Sequence, residues 1–148
     1  MVLVSFSERT WTERLGQMGD EAETEFEARS KLGFVRSGLR RPKVRVRDLH
    51  LYERHRPDYL TSRGYVEVMG MGEDQILKLK VKKLEALHFW ALLMPVTLWV
   101  WDSHKKRSTE LPLARVDALV VRAKIAFFPE GSAYYEIPAE NLFEKEAA

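Results

Sequence analysis

The spacing of apolar residues predicts one long helix near the start of the chain. Apolar side chains recur at helical intervals between residues 15 and 26, which predicts a helix from about Trp11 to Leu32. A capping box formed by Thr10 and Glu13 favours this start. Gly33 follows the last residue of the pattern, and we expect it to end the helix as a C-cap.

The next part of the chain alternates between apolar and polar positions. Residues 34 to 47 alternate apolar with basic side chains, which fits either a strand or an ordered basic arm. Two apolar runs, residues 59 to 60 and 65 to 69, flank the turn sequence Thr61-Ser62-Arg63-Gly64 and predict a hairpin. The run Gly70-Met71-Gly72 is expected to break the second strand of this hairpin.

Beyond the hairpin, strand and helix patterns continue to the end of the chain. Strands are predicted at Gln75 to Val81 and Val96 to Trp101, and two short ones at Ile125 to Phe128 and Tyr134 to Ile137. Helices are predicted at Lys82 to Pro95 and Pro112 to Lys124. The order α-β-β-β-α-β predicts one α/β or α+β domain with a mixed sheet. We expect its core at about residues 11 to 102 and a helix and strand addition at about 108 to 148.

Composition narrows the class of protein. A chain of 148 residues with 45% hydrophobic residues can form one domain with its own core. The absence of cysteine excludes disulfides and thiolate zinc sites, and the four histidines show no ligand spacing. No stretch approaches the roughly 20 apolar residues of a membrane span, and the first residues do not resemble a signal peptide. We therefore expect a soluble, cytoplasmic protein.

Charge is distributed unevenly along the chain, although the net charge is only +2. Residues 29 to 56 contain ten lysines and arginines against two acids, whereas residues 20 to 27 contain five acids and no base. A basic segment beside an acidic helix is typical of a protein that binds a polyanion and holds cations on it. A merely solvated charged surface is the alternative interpretation.

Two acidic residues in the predicted hairpin are candidates for chemistry. Asp58 opens the first strand, and Glu67 lies nine residues later in the second strand. Carboxylates that converge at one place on a sheet need a divalent cation or a shared proton to compensate their charge. Hard oxygen ligands of this kind favour Mg²⁺ or Mn²⁺. Glu23 and Glu27, one turn apart on the first helix, are the candidates for a third acid.

The same residues resemble a known motif. Pro57-Asp58 and Glu67 stand where the PD-(D/E)XK nuclease superfamily, with the restriction-endonuclease-like fold, has its acidic residues. Within that superfamily the sequence is most similar to the small Holliday junction resolvases. Gly19-Asp20-Glu21-Ala22-Glu23 and Gly33-Phe34 match the residues that open and follow the first helix in that family. The resemblance covers about residues 19 to 102.

This resemblance implies a metal-dependent DNA endonuclease that acts on branched DNA in recombination, repair or phage replication. It further implies a homodimer, because two symmetric strands are cut. Asp58 and Glu67 would hold Mg²⁺ or Mn²⁺, and Glu23 would complete or orient the metal site. The basic side chains implied to contact DNA phosphates are Arg36, Arg40, Arg41, Lys43, Arg45 and Arg47.

One position departs from the motif. The motif has a lysine two residues after Glu67 to support the attacking water, and this chain has Met69 there. Lys78 or Lys80 can replace it if their strand pairs next to Glu67, because the long lysine side chain tolerates a shifted origin. Two alternatives stay open: a DNA-binding module that has lost cleavage, and a protein-interaction domain.

Overall fold

A computed structural model describes residues 11–38 and 49–143 of the chain. The helices are α1 (Trp11–Arg29), α2 (Leu51–Arg54), α3 (Val81–Ala91), α4 (Leu113–Val120) and α5 (Ala139–Leu142). The strands are β1 (Phe34–Arg36), β2 (Tyr59–Thr61), β3 (Gly64–Met71), β4 (Ile76–Lys80), β5 (Val96–Asp102), β6 (Arg107–Pro112), β7 (Lys124–Phe127) and β8 (Ala133–Pro138). Within these two ranges, no helix is both long enough and apolar enough to span a membrane.

A five-stranded mixed sheet forms the centre of the fold, in the order β1-β2-β3-β5-β6. β3 and β5 run parallel, and the remaining pairs are antiparallel. Because parallel neighbours need a crossover, the chain leaves β3 through β4 and α3 before it returns as β5. The mixed α/β fold predicted from the sequence is therefore confirmed, including the central position of β5.

The two faces of this sheet are covered by different elements. α1 packs Ala22 and Phe26 against Val66 and Val68 of β3 and against Trp99 of β5 in one apolar cluster. The opposite face contributes to a larger cluster that includes α3, α4 and the small second sheet. Successive side chains of a strand point to opposite faces, so Glu67 lies on the α3 side.

The C-terminal strands are part of this larger cluster. β4 pairs with β8, and β8 pairs with β7, in a separate three-stranded sheet with the order β4-β8-β7. Leu77 and Leu79 of β4 and Ile137 of β8 are all buried in the larger cluster. The condition under which Lys78 or Lys80 would replace the motif lysine, that β4 pairs next to Glu67, is not met, because β4 pairs with β8.

Several predicted boundaries also differ from the structure. α1 ends at Arg29 rather than Leu32, and Gly33 is not its C-cap. β3 continues through Gly70 and Met71 because β5 pairs with it up to that point. α4 is shorter than predicted, and β6 was not predicted, although the turn before it returns the chain alongside β5.

Candidate active site

The antiparallel pairing of β2 and β3 brings Asp58 and Glu67 together. Tyr59 is paired with Val66, so Asp58, one residue earlier, lies opposite Glu67, one residue later. Asp58 Oδ2 also accepts a hydrogen bond of 2.8 Å from the backbone amide of Val68. The two carboxylates therefore lie close together, as the hairpin pattern predicts.

The backbone of Asp58 is held by the segment that follows β1. The amides of Ser37 and Gly38 donate hydrogen bonds of 2.8 and 3.1 Å to the carbonyl oxygen of Asp58. A Cβ atom at Gly38 would lie 3.0 Å from Cα of Asp58 and 3.2 Å from the carbonyl oxygen of Pro57. This close approach requires glycine, so Gly38 helps to fix where Asp58 sits.

Glu67 is buried and only half satisfied. Its side chain is 4% exposed, and Oε1 accepts a hydrogen bond of 2.9 Å from Nζ of Lys83 on α3. Oε2 is buried and accepts no hydrogen bond from a donor among the described residues, and the Glu67 and Asp58 carboxyls hydrogen-bond to each other when they share a proton. An orphaned carboxylate oxygen in a protein interior is costly, and its persistence indicates a missing ligand or a functional role.

The electrostatics of the cluster show an excess of negative charge. Burial and the charge of Asp58 raise the pKa of Glu67, Lys83 opposes both effects, and the resulting pKa is about 8. Burial likewise raises the pKa of Asp58. Burial alone would lower the pKa of Lys83, but the charges of Glu67 and Asp58 outweigh it and raise that pKa. One lysine therefore does not neutralise the two acids.

The donor set fits a divalent cation bound by two carboxylates. Oε2 of Glu67 and the carboxylate of Asp58 are hard oxygen ligands on adjacent strands. Mg²⁺ is usually bound by one or two carboxylates together with water and substrate phosphates. Within residues 11–38 and 49–143, no set of three His, Cys, Asp or Glu residues is arranged as a ready metal site.

Glu23, on α1, is bound by an arginine and not by this pair. Arg36 donates hydrogen bonds of 3.0 and 3.3 Å to the two carboxylate oxygens of Glu23, and it also donates to the hydroxyl of Tyr59. The charge of Glu23 contributes to the raised pKa of Asp58, so the two acids are electrostatically coupled. Glu27, the alternative acid, is exposed on α1.

The two lysines considered as replacements for the motif lysine form ion pairs with other acids. Lys78 Nζ is 3.5 Å from Asp74, and Lys80 Nζ is 3.7 Å from Glu130. Both belong to β4, which pairs with β8 and not with β3. The lysine that the structure places beside Glu67 is Lys83 instead.

The sequence analysis does not include Lys83 among the site residues, because it considers lysines on a strand and Lys83 lies on a helix. The sequence nevertheless contains a pattern that indicates its burial. Lys83, Leu87 and Trp90 are spaced i, i+4 and i+7, so they share one face of α3. Leu87 and Trp90 are buried on that face. A lysine that continues a buried apolar stripe needs a partner in the interior, and here that partner is Glu67.

Only part of the predicted DNA-contacting set lies in the described residues. Arg36 is described, and its guanidinium is held by Glu23 and Tyr59. The other five predicted contacts lie outside the described residues: Arg40, Arg41, Lys43, Arg45 and Arg47.

The comparison with solved structures gives a structural likeness. No known protein family matches the chain, and no curated protein sequence matches it. The structure is similar to that of a nuclease from a fusselovirus, with a TM-score of 0.46 and 12% sequence identity. The alignment covers 90% of this chain and 86% of the viral one.

Proposed function

We propose that the protein is a metal-dependent endonuclease that hydrolyses phosphodiester bonds in DNA. The observation that carries this proposal is the buried carboxylate of Glu67, with one oxygen bound by Lys83 and the other unpartnered beside Asp58. Two acids and a lysine on adjoining elements are the chemical groups that the nuclease motif requires. Lys83 supplies the lysine that position 69 lacks, since Met69 packs against the larger apolar cluster.

Each residue has a distinct role in the proposed reaction. Asp58 and Glu67 would hold Mg²⁺ or Mn²⁺, which acts as a Lewis acid that activates water and offsets charge on the leaving oxygen. Lys83 fixes the orientation of Glu67 through its 2.9 Å hydrogen bond. Its charge also stabilises the negative charge that develops on the attacking water in the transition state.

Glu23 acts in this proposal as a positioning residue. Its negative charge lies close enough to influence Asp58 and Lys83. Arg36 holds the Glu23 carboxylate with two hydrogen bonds, so Glu23 acts on the site through its charge and not as a ligand. Glu23 therefore adds to the field that attracts a cation, while the direct ligands are the two hairpin acids.

The proposal further includes a preference for branched DNA and a homodimeric state. Both rest on the sequence resemblance to junction resolvases and on the basic balance of residues 29 to 56. A two-fold dimer would place two sites on one four-way junction. Light scattering of the purified protein, alone and with junction DNA, measures the stoichiometry directly.

The proposal is tested by incubating the protein with a labelled four-way junction and a matched linear duplex, in Mg²⁺ and separately in Mn²⁺. We expect metal-dependent cuts that Asp58→Ala reduces by about 10³-fold or more, equivalent to roughly 4 kcal/mol of activation free energy. Asp74→Ala, an exposed aspartate, is the matched control and should cut like the wild type.

Any other result of this cleavage assay would contradict the assigned site or favour one of the two alternative functions. Cleavage that survives in Asp58→Ala would contradict the assigned site. Tight, salt-resistant junction binding without cleavage in either metal would identify a DNA-binding module. Weak binding that salt abolishes readily would favour the protein-interaction domain.

A further inference from the structure

The positive charges of residues on α2 and at the start of α3 act on His55, which follows the last residue of α2. The charges with the largest effect on this imidazole belong to Lys83, Lys80, Arg54 and Lys82. Burial, followed by these cations, lowers the pKa of His55 to about 4. His55 is therefore a neutral hydrogen-bonding group inside a positively charged environment. We call Arg54, His55, Lys80 and Lys82 the His55 cluster.

Packing of α2 on α3 fixes the position of the His55 cluster. The ring of Tyr52 stacks on that of Phe89, with centroids 4.2 Å apart and an interplanar angle of 4°. Trp90 Nε1 donates a hydrogen bond of 3.0 Å to the carbonyl oxygen of Tyr52. The guanidinium of Arg56 lies over the Trp90 ring at 5.2 Å. These contacts hold the segment that contains Arg54 and His55 against α3.

Among the described residues, the positive charge of the His55 cluster is poorly compensated. Lys80 has one ion pair, with Glu130 at 3.7 Å, and both side chains are well exposed, so this pair contributes little. Arg54 Nε is buried and has no hydrogen-bond partner among the described residues. Lys82 is exposed beside them. Like charges held together repel one another, and such an arrangement favours an anionic ligand.

We propose that the His55 cluster binds a backbone phosphate of the substrate strand, next to the phosphate that is cleaved. This inference rests on the proposed nuclease function. His55 precedes Asp58 by three residues, so the backbone between them spans at most about 10 Å. The lysines and the arginine supply charge to the phosphate, and the imidazole donates a hydrogen bond to it.

The test measures DNA binding separately from cleavage. Glu67→Gln is used to suppress cleavage, and the affinity for a labelled four-way junction is measured over a range of salt concentrations. Adding Lys82→Ala should reduce the slope of log affinity against log salt by about one. Lys105→Ala removes an equal charge from the exposed turn between β5 and β6, and it should leave the slope unchanged. In the cleaving protein, Lys82→Ala should raise KM more than it lowers kcat.

The outcomes separate this inference from the proposed function. If the wild type cuts DNA but Lys82→Ala and His55→Asn bind like the Lys105→Ala control, the phosphate subsite is wrong and the nuclease stands. If no metal supports cleavage but Lys82→Ala still lowers the salt slope, the phosphate subsite stands and the nuclease proposal fails. Absence of DNA binding by the Glu67→Gln protein overturns the subsite.

Discussion

Two buried acids lie on neighbouring strands of the central sheet, and their surroundings are opposite. Asp102, at the end of β5, is fully buried, and each of its oxygens has a partner. Its Oδ1 accepts hydrogen bonds from the Gln75 side chain and from the amides of residues 104 and 105. Its Oδ2 accepts one of 2.9 Å from Arg107. Glu67, on β3, has a single donor and one oxygen without a partner among the described residues.

This difference distinguishes a structural acid from a functional one. Burial alone would raise the pKa of Asp102, but the hydrogen bonds from Gln75, Arg107 and the two amides outweigh it and lower that pKa. Burial raises the pKa of Glu67 to about 8 because no comparable set of donors faces it. A satisfied buried carboxylate holds a turn together, whereas an unsatisfied one with a shifted pKa is typical of a site awaiting a ligand.

The largest expected effect concerns the single donor to Glu67. Lys83→Met keeps the length of the side chain but removes its charge, and we expect the cleavage rate to fall by about 10²- to 10⁴-fold. Single-turnover cleavage of junction DNA in Mg²⁺ measures the loss. Lys78→Ala is the control, and its rate should stay close to that of the wild type. Equal losses in both variants would mean that Lys83 has no special role.

Substitutions of the two acids should change the free energy of unfolding in opposite directions. Asp102→Ala leaves Gln75 and Arg107 without their acceptor, so we expect the free energy of unfolding to fall by about 3 kcal/mol. Glu67→Gln removes a buried charge that is only partly compensated, and at pH 8 without metal we expect it to raise that free energy. Urea denaturation measures both changes. A loss of similar size in both variants would show that Glu67 is as well satisfied as Asp102.

The pH dependence of stability should follow from Glu67 in the metal-free protein. An acid whose pKa is higher in the folded state binds more protons there, so its contribution is stabilising below the unfolded value and is lost as pH rises to about 8. We therefore expect the melting temperature to decline over this range and the decline to be smaller in Glu67→Gln. Glu85→Gln, on the exposed side of α3, is the control variant and should keep the wild-type profile.

Mg²⁺ or Mn²⁺ should reverse this trend, because a cation binds only the ionised carboxylates. The stabilisation by added metal should therefore be larger at pH 8 than at pH 6 in the wild type and absent in Glu67→Gln. Differential scanning fluorimetry with and without the metal measures it. A metal effect that is independent of pH would place the cation elsewhere.

The sequence alone predicts the parts of this arrangement that depend on local pattern. The hairpin, its turn and the central strand β5 follow from alternation and β-branched residues, and the hairpin already implies that Asp58 and Glu67 converge. Partners that come from distant parts of the chain do not follow. Nothing local in β4 indicates that it pairs with β8, and because of this pairing the condition that would bring Lys78 or Lys80 beside Glu67 is not met.

The burial and the hydrogen-bond partners of a charged residue also do not follow from the local sequence pattern. Glu67 has the alternation expected of an exposed edge position, but β3 lies between β2 and β5 and its side chain is covered by α3. Arg107 and Gln75 cannot be assigned to Asp102 from sequence, because the turn after β5 and the positive φ of Gln75 bring them there. Tertiary contacts therefore decide which buried acid is satisfied.

The smallest expected effect tests the position of Asp58 without removing any charged group. In Gly38→Ala the new methyl group would lie 3.0 Å from Cα of Asp58, so the backbone must shift by a few tenths of an ångström. Because catalytic groups depend on geometry at this scale, we expect kcat to fall by roughly 3- to 10-fold, with a stability loss of about 1 kcal/mol. Gly33→Ala is the matched control, since nothing lies within 4 Å of its added methyl group. A fall in kcat confined to Gly38→Ala shows that the contact orients Asp58, and a wild-type kcat in that variant shows that the Val68 amide alone suffices.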